Sequence, residues 1–309
     1  MSEVKETLLR KPDWLKIDHS SDGHFAETGA TIREGALHTI CSSGKCPNRS
    51  VCWKSGTATF MIGGNVCTRS CRFCATMSAK NPPALDPLEP RHVAESVRKM
   101  GLRYAVITSV DRDDLPDGGA AHWRATIEEV RTLSPFVTIE VLIPDFGGKI
   151  SDIDTVLAAR PDVVGHNIET VRRLTPSVRH RATYERSLDV LRYIGKGGFI
   201  TKTGLMVGLG ETEDEVVETL RDCLEAGVST VTIGQYLRPT LKHLPVVEYV
   251  HPDIFAHYKV LGEELGLSHV ESGPLVRSSF RADRQFDAAR EKRHVSLKEL
   301  LSGSDTPQA

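Results

Sequence analysis

Three cysteines, Cys67, Cys71 and Cys74, lie within eight residues in the segment NVCTRSCRFCA, residues 65–75. Zinc sites built from cysteine normally have four ligands, commonly as two C-x-x-C pairs, and this triplet is not a pair of pairs. Thiolates also bind iron–sulfur clusters, and a 4Fe–4S cube takes one ligand per iron. Three cysteines would leave one iron open to a substrate or cofactor. The alternatives are a zinc site completed by a distant histidine, and free thiols.

A second triplet, Cys41, Cys46 and Cys52, lies upstream with the spacing C-x4-C-x5-C. Glycine, proline and asparagine between these cysteines favour tight turns, so the loop could wrap a compact object. The alternatives are a zinc knuckle or a loop with incidental cysteines. The seventh cysteine, Cys223, falls in a predicted helix and is interpreted as a small core residue.

Composition sets limits on the class of protein. The chain has 309 residues, a net charge of −2, 39% apolar residues and 26% charged residues. These values are ordinary for a globular protein and provide no basic field for nucleic acid. No apolar run approaches the roughly 20 residues needed to cross a bilayer, and the first residues lack the apolar core of a signal peptide. We therefore expect a cytoplasmic protein that binds neither membrane nor nucleic acid, in which disulfides are rare.

The elements that must position the cysteines begin after a polar, turn-rich region of 56 residues with little periodicity. Six β-rich runs follow, at residues 57–62, 104–110, 137–144, 162–170, 199–208 and 228–237. Helices are predicted at residues 119–133, at 151–159 with Ser151 as the cap, and at 185–196. A further helix has a capping box of Thr212 and Glu215 and a stop at Gly227.

Alternation of strands and helices predicts an α/β fold with parallel strands and right-handed crossovers. A partial (βα)6 barrel of the TIM type and an open doubly wound sheet both satisfy this pattern. In either fold, ligands bind at the carboxyl ends of the strands. The polar motifs fall there, with Cys67 after the first strand, Ser109 and Asp111 after the second, and Asn167 and Glu169 after the fourth.

The spacing C-x-x-x-C-x-x-C, with Phe73 before the last cysteine, resembles the signature of the radical S-adenosylmethionine (SAM) superfamily. In that superfamily the open iron binds SAM, and an electron from the cluster cleaves SAM to a 5′-deoxyadenosyl radical that abstracts hydrogen from unactivated carbon. Its members have a full or partial TIM barrel, so the resemblance favours the barrel over the open sheet. It implies that Cys67, Cys71 and Cys74 hold a 4Fe–4S cluster, with Phe73 at the cofactor.

The second triplet, together with segments along most of the chain, resembles the lipoyl synthase family. The matching segments are PDWLK (12–16), GTATFMI (56–62), TSVDRDDLPDGG (108–119), GHNIETVRRL (165–174), KTGLMVGLGET (202–212), TIGQYLRP (232–239) and GPLVRSSF (273–280). Their number and order make the resemblance specific.

In lipoyl synthases the triplet that corresponds to Cys41, Cys46 and Cys52 holds an auxiliary 4Fe–4S cluster, whose fourth ligand is a serine of a C-terminal RSSY motif. Here the motif reads RSSF (277–280), and Phe280 keeps the ring of the usual tyrosine without its hydroxyl. An alkoxide is a harder and weaker partner for iron than a thiolate, which is sensible if this iron must release it. Arg277 either offsets the cluster charge or is only a surface anchor. The implied ligands of the auxiliary cluster are Cys41, Cys46, Cys52 and Ser279.

Contacts to SAM are expected from the strand ends. The residues predicted to bind it are Thr108, Ser109 and Asp111 at the methionyl end, Asn167 and Glu169 at the ribose or amino group, and Met206 with Val207 on the adenine side. Alternatively, the charges around Asp111 form a solvated turn, and the glycines that follow Val207 only end a strand.

A basic run, Arg172, Arg173, Arg179, His180 and Arg181, follows the fourth strand. The default interpretation of such a run is a solvated face. The sharper hypothesis is that one or two of these residues meet the SAM carboxylate or an acidic carrier domain, with Arg181 pointing inward.

The resemblance implies insertion of sulfur at carbons 6 and 8 of an octanoyl chain that is carried on a lysine, with the auxiliary cluster as the sulfur donor. The implied partners are an octanoylated lipoyl carrier domain or protein, an electron donor such as ferredoxin or flavodoxin, and an iron–sulfur cluster carrier. Three regions are expected: 1–56 with the auxiliary cysteines, 57–270 as the barrel, and 271–309 with the serine ligand.

Two other functions compete with this hypothesis. One is another radical SAM sulfur-inserting enzyme that acts on tRNA or biotin precursors, although the weak net charge disfavours tRNA. The other is a non-catalytic module that binds zinc or an iron–sulfur cluster.

Overall fold

The computed structural model describes residues 9–17 and 23–291. The expected end regions 1–56 and 271–309 lie partly outside the described residues, at 1–8, 18–22 and 292–309. The strands, in chain order, are β1 His38–Thr39, β2 Thr59–Ile62, β3 Val66–Cys67, β4 Met77–Ser78, β5 Tyr104–Ser109, β6 Thr138–Leu142, β7 Val163–Gly165, β8 Ile200–Val207, β9 Thr230–Gln235 and β10 His269–Gly273.

One sheet contains eight of these strands in the order β1-β2-β5-β6-β7-β8-β9-β10. All neighbours from β2 to β10 pair in parallel, and β1 pairs antiparallel with β2. The six predicted strands are therefore confirmed, and β10 adds a seventh parallel strand that was not predicted. Within the described chain, edge strands β1 and β10 do not pair with each other, so the barrel is partial and open.

The helices are α1 Gly23–Glu34, α2 Ile40–Ser43, α3 Arg49–Lys54, α4 Glu89–Lys99, α5 Ala120–Leu133, α6 Ile150–Leu157, α7 Thr175–Val178, α8 Tyr184–Lys196, α9 Glu213–Glu225 and α10 Pro252–Leu265. Residues 282–291 are also helical. The capping box of Thr212 and Glu215 on α9 is confirmed, and Gly227 follows with a φ of 80°. The prediction that Ser151 caps the next helix was wrong. A 3-10 turn, Phe146–Gly148, leads directly into α6, so the helix begins before Ser151 and is capped at Lys149.

The region before β2 contains helices α1, α2 and α3, although its sequence has little periodicity. The buried positions of α1 explain why, because they are Thr28, Gly29, Thr31 and Ile32, of which only one is strongly apolar. Thr28 donates a hydrogen bond to the carbonyl oxygen of Trp53 (3.0 Å), which ties α1 to α3. A helix held in this way has no apolar stripe to read from the sequence.

Apolar side chains pack the helices onto the outer face of the sheet, in one cluster that includes Trp123 and Ile139 and another that includes Val207 and Phe255. The inner face is more polar. Lys202 and Glu140 form a buried ion pair (2.7 Å), and Tyr104 donates a hydrogen bond to Glu140 (2.6 Å). Buried charges persist only when paired, so this network defines a polar interior. Among the described helices, none has the length and apolar character needed to cross a membrane.

Candidate active site

A cavity of about 350 Å³ lies within the barrel and is bounded by both cysteine loops. Its lining includes all but three of the predicted site residues. Those that line it are Cys41, Cys46, Cys67, Cys71, Phe73, Cys74, Thr108, Ser109, Asp111, Asn167, Glu169, Met206 and Ser279. Cys52, Arg181 and Val207 do not line it.

The entrance to the loop that carries Cys67, Cys71 and Cys74 is fixed by a turn at Gly63 and Gly64, which have φ values of 80° and 87°. Glu89, a buried residue at the start of α4, accepts hydrogen bonds from both glycine N–H groups (2.7 and 3.4 Å). His122 contacts the same carboxylate at 2.6 Å. This support was not predicted, because no local pattern links a helix start to a turn 25 residues earlier.

The same loop is closed at its base by pairing of β3 with β4, which places Cys67 opposite Ser78. Its main chain is also bonded to two other segments: the N–H of Thr68 donates to the carbonyl oxygen of Asp111 (3.0 Å), and that of Arg72 to Val178 (3.1 Å). The loop is therefore held by backbone contacts on several sides.

Arg69 lies inside this loop and is only 6% exposed. It binds Asp113 through two hydrogen bonds (2.9 and 2.8 Å), Asp145 at 2.6 Å and Asp111 at 3.2 Å. Although burial opposes it, the bond and charge of Arg69 lower the pKa of Asp145 to about 2. A buried cation with three carboxylates makes this network a rigid anchor for the cysteines on either side.

The thiols of the loop are part-buried and close enough to influence one another. Burial, and secondly the Asp111 carboxylate, raise the pKa of Cys67 to about 12. Burial also raises the pKa of Cys71 to about 12 and the pKa of Cys74 above its ordinary value. Iron would bind these groups as thiolates, so their ionisation and cluster binding are coupled.

The upstream triplet, Cys41, Cys46 and Cys52, is carried by short elements. Cys41 lies in α2, Cys46 in the following turn and Cys52 in α3. Burial and the neighbouring Cys41 raise the pKa of Cys46, and burial with both neighbours raises the pKa of Cys52 to about 12. The mutual influence shows that the three thiols are grouped.

The segment that follows β10 returns to this triplet. Asn48 donates a hydrogen bond to the carbonyl oxygen of Leu275 (2.6 Å). The positive charge of Arg277 partly offsets the rise that burial causes in the pKa of Cys46. Ser279 accepts a hydrogen bond from Thr59 at the start of β2 (2.8 Å). The fold therefore brings Ser279 to the cavity beside both triplets, although 220 residues separate it from Thr59 in the chain. No sequence pattern predicts the contributions of Asn48 and Thr59.

The predicted SAM-contacting residues lie where the strands end. Thr108 and Ser109 close β5, and Asp111 accepts the weak hydrogen bond of the Cys67 thiol (3.6 Å). Met206 and Phe73 pack in one apolar group beside the cavity. Val207 does not face the cavity, because strand residues alternate in direction and its side chain is buried in the outer core.

Asn167 and Glu169 extend beyond β7 and pair again with β8, where the N–H of Glu169 donates to Gly204 (2.9 Å). Glu169 has a φ of 68°, which is unusual for a residue with a side chain. Burial raises its pKa, and Asn167 donates a hydrogen bond to its carboxylate (3.1 Å). This strained, half-buried carboxyl group is a candidate for binding a ligand cation.

The expected inward position of Arg181 was wrong. Its side chain is 53% exposed and pairs with Asp113 (3.1 Å). Arg179 is the inward residue, since it is buried, lines the cavity and donates hydrogen bonds to the carbonyl oxygens of Asn167 and Ile168 (both 3.1 Å). The short helix α7 sets which residue turns inward, and a run of cations does not reveal that orientation.

Two other cations of the run lie on the outside of the barrel. Arg172 pairs with Glu185 and Asp222 and lies over the ring of Tyr184, whereas Arg173 forms two hydrogen bonds to Glu215 (2.7 and 2.9 Å). Acidic partners offset these charges in the structure.

Within residues 9–17 and 23–291, no three His, Cys, Asp or Glu side chains converge as they would on a single metal ion. A cubane cluster sets a different requirement, because each cysteine binds a separate iron atom. Five of the six thiols line the cavity, and the sixth, Cys52, lies beside Cys41 and Cys46. The residues present therefore fit two 4Fe–4S clusters.

Comparison with known proteins agrees with this geometry. The family model of the radical SAM superfamily matches residues 61–223. Solved structures with the same fold include methylornithine synthase (TM-score 0.53, 13% identity, 72% of this chain and 73% of that one) and Streptococcus suis SuiB bound to its precursor peptide (0.55, 10% identity, 87% and 58%). The fold and the cysteine loop are thus those of a radical SAM enzyme.

Curated relatives define the family more closely. Lipoyl synthase from Porphyromonas gingivalis is 57% identical over 279 residues, which cover 90% of this chain and 99% of the relative. The Parabacteroides distasonis enzyme is 56% identical with the same coverage, and that of Flavobacterium johnsoniae is 54% identical over 89% of this chain and 96% of the relative. The chain belongs to the lipoyl synthase family. It is a radical SAM enzyme that uses 4Fe–4S clusters and SAM to insert two sulfur atoms into a protein-bound octanoyl chain.

Proposed function

We propose a division of labour between the two triplets. Cys67, Cys71 and Cys74 hold the cluster that binds SAM, and Cys41, Cys46, Cys52 and Ser279 hold the cluster that donates sulfur. The observation that carries this proposal is the position of Ser279, which reaches the cavity of both triplets from the far end of the chain.

When bound, the clusters and SAM supply the electron, the carbon-centred radical and the sulfur. The chain itself supplies position. Arg69 and its three carboxylates hold the SAM-side loop rigid, which keeps reacting groups at a fixed separation. Phe73 and Met206 present an apolar surface to the cavity and exclude water from it.

Direct contacts to SAM are proposed for the residues at the strand ends. Thr108, Ser109 and Asp111 bind the methionyl end, while Asn167 and Glu169 bind the ribose or the amino group. The raised pKa of Glu169 falls when a cation lies beside it, so an ammonium group is a suitable partner. Arg179 contributes positive charge next to Glu169 and Cys71.

The proposed regions are 1–56 and 271–309, which together supply the auxiliary ligands, and 57–270, which forms the barrel. An octanoylated lipoyl carrier domain supplies the substrate, a ferredoxin or flavodoxin the electron, and a cluster carrier the iron and sulfide for rebuilding. All of these are available in the cytoplasm, where we place the enzyme.

Anaerobic reconstitution tests the ligand sets. The expected content is about eight irons per chain, four for each cluster. A peptide with an octanoyl-lysine, SAM and a reductant should then give 5′-deoxyadenosine and the dithiolane product. Binding of zinc in place of iron would contradict the proposal, and 5′-deoxyadenosine without a dithiolane would instead support a radical SAM enzyme with another substrate.

A further inference from the structure

The segment of residues 276–279 passes unusually close to the barrel wall, at two glycines. A Cβ atom on Gly234 of β9 would lie 2.2 Å from the carbonyl oxygen of Val276, and one on Gly204 of β8 would lie 2.8 Å from the Ser278 hydroxyl oxygen. At Gly234 no larger residue fits without moving the main chain of the segment, and at Gly204 the side chains of Ser278 and Asn167 would have to shift. The wall is therefore shaped to seat this segment, rather than only to end a strand.

The two serines of the segment have different partners. Ser279 is bonded to Thr59 of β2, as described above. Ser278 forms a reciprocal pair with Asn167, in which the Asn167 amide donates to the Ser278 hydroxyl (2.9 Å) and that hydroxyl donates to the amide oxygen (3.2 Å). Ser278 thus ties the segment to the end of β7, while its neighbour reaches toward the first strand of the barrel.

Asn167 is shared between two groups. An amide nitrogen carries two hydrogens, and here one donates to the Ser278 hydroxyl and the other to the Glu169 carboxylate (3.1 Å). Glu169 in turn lines the same cavity as the SAM-side cysteines Cys71 and Cys74. A short chain of hydrogen bonds therefore leads from the SAM side of the cavity to the residue next to Ser279.

We propose that Ser278 is a positioning residue that links the SAM site to the serine ligand of the auxiliary cluster. In this link, SAM that engages Asn167 or Glu169 competes for the amide that holds Ser278, and the adjoining Ser279 is then held less firmly on its iron. The iron bound by Ser279 is therefore lost more easily from the auxiliary cluster when SAM is bound. It rests on the roles proposed above for Ser279 and Asn167.

The test measures how fast a chelator removes iron from the auxiliary cluster of the reconstituted enzyme, without reductant. Mössbauer spectra of ⁵⁷Fe-loaded protein distinguish serine-bound iron from cysteine-bound iron. In the wild type, SAM should accelerate loss of that iron by about fivefold, the equivalent of one hydrogen bond. In Ser278→Ala the loss should be faster by about the same factor already without SAM, and SAM should add nothing.

Ser272→Ala is the matched control, since the Ser272 hydroxyl on β10 is buried and has no hydrogen-bond partner within the described residues. It should match the wild type in both rates. Full loading of the SAM-side cluster and an unchanged circular dichroism spectrum will show that Ser278→Ala is folded. In the double variant Asn167→Ala/Ser278→Ala, iron loss should be no faster than in either single variant, because both remove the same bond.

An unchanged rate in Ser278→Ala, or an undiminished SAM effect there, would overturn the link. Ser279→Ala separates this outcome from failure of the ligand assignment. If Ser279→Ala is as stable to the chelator as the wild type, the assignment of Ser279 fails and the link fails with it. If Ser279→Ala is labile and Ser278→Ala is not, only the link fails.

Discussion

The two cysteine loops line the same cavity, but they are held in place by different sets of contacts. The loop with Cys67, Cys71 and Cys74 is held on several sides, by a strand pair, by backbone bonds to neighbouring loops and by the buried Arg69 network. The loop with Cys41, Cys46 and Cys52 lies on two short helices. It is closed from a distance, through Asn48 and Leu275 and through Thr59 and Ser279.

This difference matches two chemical tasks. A cluster that must deliver an electron repeatedly benefits from a rigid site, because any displacement changes the distance to the reacting bond. A cluster that gives up its sulfur must be opened and rebuilt, which is easier when part of its site is a movable segment. In the proposed division of labour, the two tasks therefore fall to separate loops, although residues of both loops line the same cavity.

The sharpest way to break this contrast is to remove one thiol from each loop. Cys71→Ala should abolish formation of 5′-deoxyadenosine, because the SAM-side cluster loses a ligand. Cys46→Ala should leave SAM cleavage in place and abolish dithiolane formation. Both products are measured in one reaction by mass spectrometry. Cys223→Ala, a buried cysteine of α9, is the control and should keep both activities. Loss of SAM cleavage in Cys46→Ala would show that the two loops are not independent.

The rigidity of the SAM-side loop is tested by Arg69→Met. This change leaves Asp111, Asp113 and Asp145 without their shared cation, so the free energy of unfolding should fall by about 3–5 kcal/mol, as measured by urea denaturation. Arg91→Met is the control, because Arg91 pairs with Glu95 and Glu129 at the surface, and stability should change little. Equal stability of the two variants would remove the distinction between the loops.

Acid should act on the barrel through His166, which is buried between the carbonyl oxygen of Ile143 and the hydroxyl of Ser187 (both 3.0 Å). Burial, and secondly Arg179, lower its pKa to about 4. Because the unfolded chain takes up the proton first, near pH 6.5, stability should fall as the pH drops from 6.5 toward 4, by about 2 kcal/mol at pH 5.

Urea denaturation at pH 7 and pH 5 measures this dependence. His166→Gln should flatten it, while His180→Gln, at an exposed histidine, should not. A steep pH dependence that persists in His166→Gln would place the sensitive group elsewhere.

The smallest expected effect concerns the distant closure of the auxiliary loop. Asn48→Ala removes one buried hydrogen bond to the segment that carries Ser279, so iron should be lost from the auxiliary cluster about fivefold faster. SAM cleavage should be unchanged. Iron retention is measured after gel filtration, with Asn81→Ala, an exposed position, as the control. Unchanged retention in Asn48→Ala would mean that the C-terminal segment is held by other contacts.

Much of the architecture could be predicted from the sequence. The six β-rich runs, the capping box of α9 and the placement of polar residues at strand ends all depend on local patterns, and the structure agrees with them. Strand β10 was missed because the run HVESG is short and mostly polar. The helices before β2 were missed because their buried positions include threonine and glycine, which give no apolar period.

The contacts that hold the site could not be predicted in the same way. Arg69 with Asp145, Glu89 with Gly63, and Thr59 with Ser279 each join residues far apart in the chain. Their types are common on protein surfaces, so composition does not distinguish them. Arg179 and Arg181 are two residues apart in a basic run, and only the path of the main chain after α7 decides which one is buried.

The long separation between Thr59 and Ser279 has a consequence for biosynthesis of the enzyme. Chains fold as they leave the ribosome, from the amino terminus onward. The partners of the SAM-side loop, the last of which is Leu244, are synthesised before Ser279 exists. The three cysteines of the auxiliary loop are synthesised earlier still, more than 200 residues before Ser279, their proposed fourth ligand partner. The auxiliary site therefore cannot be complete until the carboxyl-terminal segment has been made.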